Sequence, residues 1–176
     1  MSADAAVHAA YGHPDVVARV RGRFGDGVLG PGGAIDRALL GPLAFAQEGG
    51  LAALEAIVHP LVGRGREEWI AARRAETPPP PLLVCEVPIL FEAGLAGLFD
   101  AVLVVTASDP VRRARVAARG QDFDARAARQ LPEREKVDRA DAAFVNDGGL
   151  DELRAWVTDR FAQYAGQPCH GPSADQ

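Results

Sequence analysis

Apolar positions in the first 76 residues recur at helical spacings. Ala6, Val7 and Ala10 form one set and Val17, Val20 and Phe24 another, with Gly12-His13-Pro14 as the break between them. Five glycines and a proline between Gly25 and Gly33 mark a loop. A short helix is predicted from near Asp36, a residue type suited to an N-cap, and it carries Leu39, Leu40 and Leu43. Leu51, Leu54, Val58 and Leu61 make a further stripe. It is expected to be interrupted at His59-Pro60, because the residue before a proline disfavours the α region. A new helix is then predicted from about Pro60 to Ala75, since proline is accepted in a first turn. Thr77 and the four prolines Pro78 to Pro81 stop regular structure.

Beyond residue 82 the pattern changes character. Leu82 to Cys85 and Ala101 to Val105 are short, continuous apolar runs, as expected of strands buried on both faces of a parallel sheet. Pro88 to Asp100, between them, is long enough for a helical crossover. An Arg-rich helical stretch from Pro110 to about Arg139 leads to a third candidate strand, Ala142 to Val145. Leu150, Leu153, Val157, Phe161 and Tyr164 pattern a closing helix, capped near Asp147 to Asp151. Residues 167–176 are polar and read as a mobile tail. Alternating strands and helices predict an α/β fold with a doubly wound parallel sheet.

Composition narrows the function classes. The 176 residues carry 19 Lys+Arg against 24 Asp+Glu, a formal charge of −5, which argues against a general nucleic-acid binder. No apolar run approaches the roughly 18 residues of a membrane span, and the start has neither the basic region nor the apolar core of a secretory signal. Two cysteines, Cys85 and Cys169, are too few for a disulfide framework and lack metal-ligand spacing. The reading is a soluble, cytoplasmic protein. Lys136 is the only lysine, a bias consistent with high-GC coding.

Ligands in doubly wound sheets bind beyond the carboxyl ends of the strands, which singles out Glu86 and the following Val87 to Glu92. A carboxylate there can hold magnesium or orient a hydroxyl; it can equally be a surface acid. Nine basic residues lie between Arg112 and Arg139, and Arg112, Arg115 and Arg119 recur at i, i+3 and i+7. One helix face would then present three guanidinium forks able to take phosphate oxygens bidentately. Interleaved Asp122, Asp124, Glu133, Glu135 and Asp138 leave a solvated face as the alternative. His59 stands alone in its stripe and reads equally as a structural histidine.

Taken in order, these segments resemble the dephospho-CoA kinase family. Ala3-Asp4-Ala5 is similar to the end of the family's Asp-Ala-Asp element. Asp36-Arg37 and Phe45 lead into Leu54 to Pro60, which resembles its leucine–glutamate to histidine–proline helix. Pro88-Ile89-Leu90-Phe91-Glu92, with Phe99-Asp100 after it, resembles the proline–leucine–leucine–phenylalanine–glutamate element. Arg115 to Arg119, Arg126 with Gln130, Lys136, Ala140-Asp141 and Asn146 follow in the family's order.

The resemblance implies a P-loop kinase-like fold, with ATP as phosphoryl donor, magnesium, and dephospho-CoA as acceptor of a phosphate on its ribose 3′-hydroxyl. Residues 1–166 would form one kinase-like domain. Within it, 2–76 would be the helical substrate-binding part, 82–111 and 140–166 the core, and 112–139 a lid. Asp4 would be the catalytic base; Arg115 and Arg119 would reach the transferring phosphates. Arg37, His59, Glu86, Pro88 and Glu92 would serve substrate binding, and Asn146 would lie near adenine.

The sequence departs from the family's pattern in two places. It contains no G-x-x-x-x-G-K-[ST] phosphate loop, and Glu86 stands where the family has aspartate. The expectation is an amino-terminally truncated chain, inactive by itself, whose absent strand would lie between those ending at Glu86 and Val105. The alternative is a non-catalytic relative that binds a CoA-like ligand or an intact kinase.

Overall fold

The computed structural model describes residues 1–120, 123–128 and 130–167, the side chains of 125 and 126 excepted. Arg129, the side chain of Arg126, and the tail beyond residue 167 therefore lie outside the described residues. The chain gathers into two compact units, Met1–Val87 and Pro88–Gln176.

The first unit is helical, as its periodicity predicts. Helix α1 (Ala3–Ala10) and α2 (Pro14–Phe24) are separated at Gly12-His13, and the His13 ring accepts the Asp15 N–H as an N-cap. A 3-10 turn at Asp26–Val28 leads through the glycine loop to α3 (Arg37–Ala46). Asp36 is its N-cap as expected, its carboxylate accepting the Ala38 N–H at 2.8 Å. Helix α4 runs from Gly50 to Arg74 without a break. This corrects the expected interruption at His59-Pro60. A proline removes one helical hydrogen bond and bends the backbone, and here packing outweighs that cost: Ile57 and Val58, one turn before Pro60, are buried in the core. That core joins Ala10, Val16, Val20, Phe24, Val28, Leu40 and Ala44 to them. Gly50 permits the α3–α4 corner, because a Cβ there would sit 2.3 Å from the Ala44 carbonyl oxygen.

Leu82 to Cys85 form no strand, which corrects the second expectation. The segment is paired only at Glu86, by a parallel bridge to Ser2. Three hydrogen bonds hold the two there: Ala3 N–H to Glu86 O and Glu86 N–H to Met1 O, both 2.9 Å, and the terminal ammonium to Val84 O at 2.7 Å. An apolar run becomes a strand only beside a partner, and its partner here is three residues long.

The second unit holds β1 (Leu103–Thr106) and β2 (Ala142–Val145), paired in parallel with Leu103 opposite Ala142. The α/β class and the parallel sheet agree with the sequence reading. The expected helical crossover over 88–100 is instead a run of turns ending in a 3-10 turn at Ala96–Leu98. Gly94, at φ 67°, occupies the left-handed region there, and such a residue does not continue a helix. The Arg-rich stretch is three short helices, α5 (Asp109–Ala117), α6 (Phe123–Ala127) and α7 (Glu133–Asp138). Helix α8 (Leu150–Tyr164) closes the unit, with Trp156 packed on Phe144 of β2 at a ring separation of 5.5 Å. The strands are not buried on both faces: Leu103, Val105 and Val145 are 41%, 50% and 58% exposed. A strand with one neighbour and one partial cover keeps alternate side chains open.

Candidate active site

In the first unit the bridge between Ser2 and Glu86 brings two expected site residues to one place. Asp4 lies in the first turn of α1, two residues past that bridge, and Glu86 is its other half. Both side chains are exposed, as a carboxylate that must reach a ligand requires. Arg37 begins α3 and its Nη1 lies 3.2 Å from Nδ1 of His8 on α1. His59 is exposed on α4, while Ile57 and Val58 take the buried side. Cys85 is the neighbour of Glu86; burial pushes its thiol up, outweighing the terminal ammonium and Arg66, so it is an inert thiol at neutral pH.

In the second unit the carboxyl ends of β1 and β2 lie side by side, where a parallel sheet presents its ligands. Asn146, the residue after β2, is 8% exposed. Its N–H donates to Thr106 O at 2.7 Å, and its amide nitrogen faces the carbonyls of Gly149 and Gly148 at 3.1 and 3.3 Å. Arg115 reaches the same loop from α5, Nη1 donating to Asn146 O at 2.9 Å and Nη2 to Gly148 O at 3.3 Å. Asp147 accepts the Ser108 N–H at 2.6 Å, tying this loop to the one after β1.

The three arginines do not share one helix face. Helix α5 ends at Ala117, so Arg119 falls in the following turn, exposed; its N–H donates to Val116 O at 3.0 Å, and its side chain has no hydrogen bond or ion pair among the described residues. Arg112 is paired with Glu133, which also accepts the Thr106 hydroxyl. Of the three, Arg119 alone is left with its guanidinium open.

Pro88 is exposed at the head of its turn. Glu92 is partly buried, and its Oε1 takes Nζ of Lys136 at 2.7 Å and the Leu131 N–H at 2.9 Å. Burial pushes this carboxyl up, but Lys136 and the backbone N–H groups more than offset it and hold it below the usual carboxylate range. Arg139 lies over the Phe91 ring at 4.7 Å, so the 88–92 turn is clamped to α7. Sequence reading missed Lys136, Glu133 and Asp147 as the groups that organise this unit. The partners named above lie 21 to 44 residues away in the chain, and only the uniqueness of Lys136 and its place in the family's order hinted at a role.

Among the described residues no three His, Cys, Asp or Glu side chains gather into a metal-binding group, and no helix is long and apolar enough to cross a membrane. Magnesium bound to a nucleotide needs only one or two carboxylates, phosphates and waters supplying the rest. Glu86, exposed at the bridge, is of that kind.

A family model described as dephospho-CoA kinase matches residues 2–152. A dephospho-CoA kinase of Anaeromyxobacter dehalogenans is 42% identical over 167 residues, covering 92% of this chain and 77% of its own length. One of Streptomyces avermitilis is 40% identical over 169 residues, covering 94% and 80%. The solved structure of dephospho-CoA kinase from Campylobacter jejuni superposes with a TM-score of 0.67 at 20% identity, over 94% of this chain and 84% of that one, a likeness of fold. With the ordered motifs and the parallel sheet ends already described, these matches place the chain in the dephospho-CoA kinase family.

Proposed function

We propose that this chain serves the family's reaction, transfer of a phosphate from ATP to the 3′-hydroxyl of dephospho-CoA, with its two units taking different shares. The match over residues 2–152 carries this reading. In the first unit Asp4 accepts the proton of the ribose hydroxyl, and Arg37 and His59 receive the acceptor. Glu86 would hold magnesium, which neutralises phosphate charge when bound. In the second unit the Asn146–Gly149 loop supports the adenine end of ATP. Arg119, exposed and with no side-chain partner among the described residues, meets the transferring phosphates from the 112–139 segment, which closes over them. Pro88 heads the turn at the edge of the site, which Glu92 shapes through its hold on Lys136 of α7.

The 176 residues by themselves do not supply a cradle for the β- and γ-phosphates. They contain no glycine–lysine loop, and their single lysine is bonded to Glu92 and Gln130. The test measures ATP-dependent formation of CoA from dephospho-CoA by this polypeptide and by the same polypeptide joined to the P-loop unit of a relative. No turnover from the first and measurable turnover from the second is expected. Turnover by the unjoined polypeptide would refute the need for the loop; a folded chimaera that binds both substrates without turnover would refute the roles given to Asp4 and Arg119.

A further inference from the structure

We propose that Arg115 is a positioning residue: its guanidinium fixes the backbone of the Asn146–Gly149 loop and does not meet phosphate. The proposal rests on the reading of that loop as the support for adenine. The resemblance places Arg115 with Arg119 on the transferring phosphates, yet their surroundings differ. Arg115 donates from two separate nitrogens to two carbonyls of one loop, Asn146 O at 2.9 Å and Gly148 O at 3.3 Å. The two oxygens are taken by two different nitrogens of one rigid planar group, which a guanidinium supplies and a single ammonium does not. The loop is held from its other sides as well: by the Asn146 amide on Gly148 and Gly149, by Asn146 N–H on Thr106, and by Asp147 on Ser108. Arg115 is the only one of these ties that comes from α5. To reach a phosphate it would have to release both charge-assisted bonds, leaving Asn146 O without a side-chain donor and Gly148 O with the Asn146 amide alone. Among the described residues the Arg119 side chain has no such bonds to give up.

The two roles separate when ligands with and without phosphates are compared. Adenosine and ATP are titrated separately into the full chain and into Arg115→Ala, Arg115→Lys and Arg119→Ala, followed by amide resonances. A loop-positioning Arg115 predicts that Arg115→Ala weakens adenosine and ATP by the same factor, about tenfold, and shifts the resonances of residues 147–149. Arg119→Ala should weaken ATP alone. Arg115→Lys, which keeps the charge but is shorter and lacks the two separate nitrogens that take the two carbonyls, should stay weak for adenosine. Weakening of ATP with adenosine unchanged in Arg115→Ala would overturn the proposal, and so would full recovery of both ligands in Arg115→Lys. If the unaltered chain bound no adenosine, the adenine reading would fail by itself. The resonances of residues 147–149 would then decide the hold of Arg115 on the loop: a shift in Arg115→Ala supports it and their constancy overturns it.

Discussion

The pair formed by Glu92 and Lys136 gives the sharpest test of how the second unit is held together. Their side chains are 16% and 14% exposed, and the Nζ–Oε1 distance is 2.7 Å. An exposed ion pair contributes roughly 0–1 kcal/mol, while breaking a fully buried one costs about 3–5 kcal/mol. The Lys136–Glu92 pair sits between these limits, nearer the buried one, so Lys136→Met is expected to cost about 2–3 kcal/mol. It leaves a carboxylate whose Oε2 already lacks a partner, now with the Leu131 N–H as the main support for Oε1. Glu92→Gln should be milder, about 1 kcal/mol, because a neutral amide still accepts from Leu131 and carries less desolvation cost. In a domain of this size a loss of 2–3 kcal/mol lowers Tm by about 5–10 °C. A double-mutant cycle by chemical denaturation should return a coupling of about 1–2 kcal/mol. The pH dependence has a definite sign. The Glu92 carboxyl is held below its unfolded value, so its contribution is complete above about pH 4.3 and fades as pH falls through the lower folded value. The stability gap between the parent and Glu92→Gln should therefore narrow as pH falls below about 4.3 and close only once pH is below the lowered folded value. A coupling below about 0.3 kcal/mol, or a gap that persists at low pH, would refute the reasoning.

Three further outcomes follow from the described geometry. Asp36→Ala removes the acceptor of the Ala38 N–H at the start of α3 and should cost about 0.5–2 kcal/mol in urea unfolding, with Asp36→Asn recovering most of it; equal losses from both would show that the cap is not the cause. In the active chimaera Asp4→Asn should lower kcat by about 10²–10⁴-fold with little change in ATP affinity, and turnover within threefold of the parent would remove Asp4 from the role of base. Arg119→Ala there should lower kcat/KM while shifting stability by less than about 0.5 kcal/mol, as measured by paired kinetics and melting; unchanged kinetics would make Arg119 an ordinary surface residue.

Local chemistry, readable along the chain, determined much of this protein. The break at Gly12-His13, the cap at Asp36, the strand at Ala142–Val145 and the closing helix are all set by neighbouring residues, because helix caps and periodic apolar faces act within a few positions. Ordered motifs were enough to name the family without any knowledge of their contacts. Tertiary structure decided the rest. Leu82 to Cys85 are as apolar as a strand, but pairing belongs to two segments at once, and only Ser2 stands opposite Glu86. Pro60 disfavours a helix locally, yet α4 continues through it because Ile57 and Val58 are buried against α2 and α3. The arginines that look alike at i, i+3 and i+7 acquire three different surroundings. Arg112 meets Glu133, Arg115 meets two backbone carbonyls, and Arg119 lies past the end of α5. A charge is written in the sequence, but its partner is chosen by the fold, as Lys136 finds Glu92, 44 positions away.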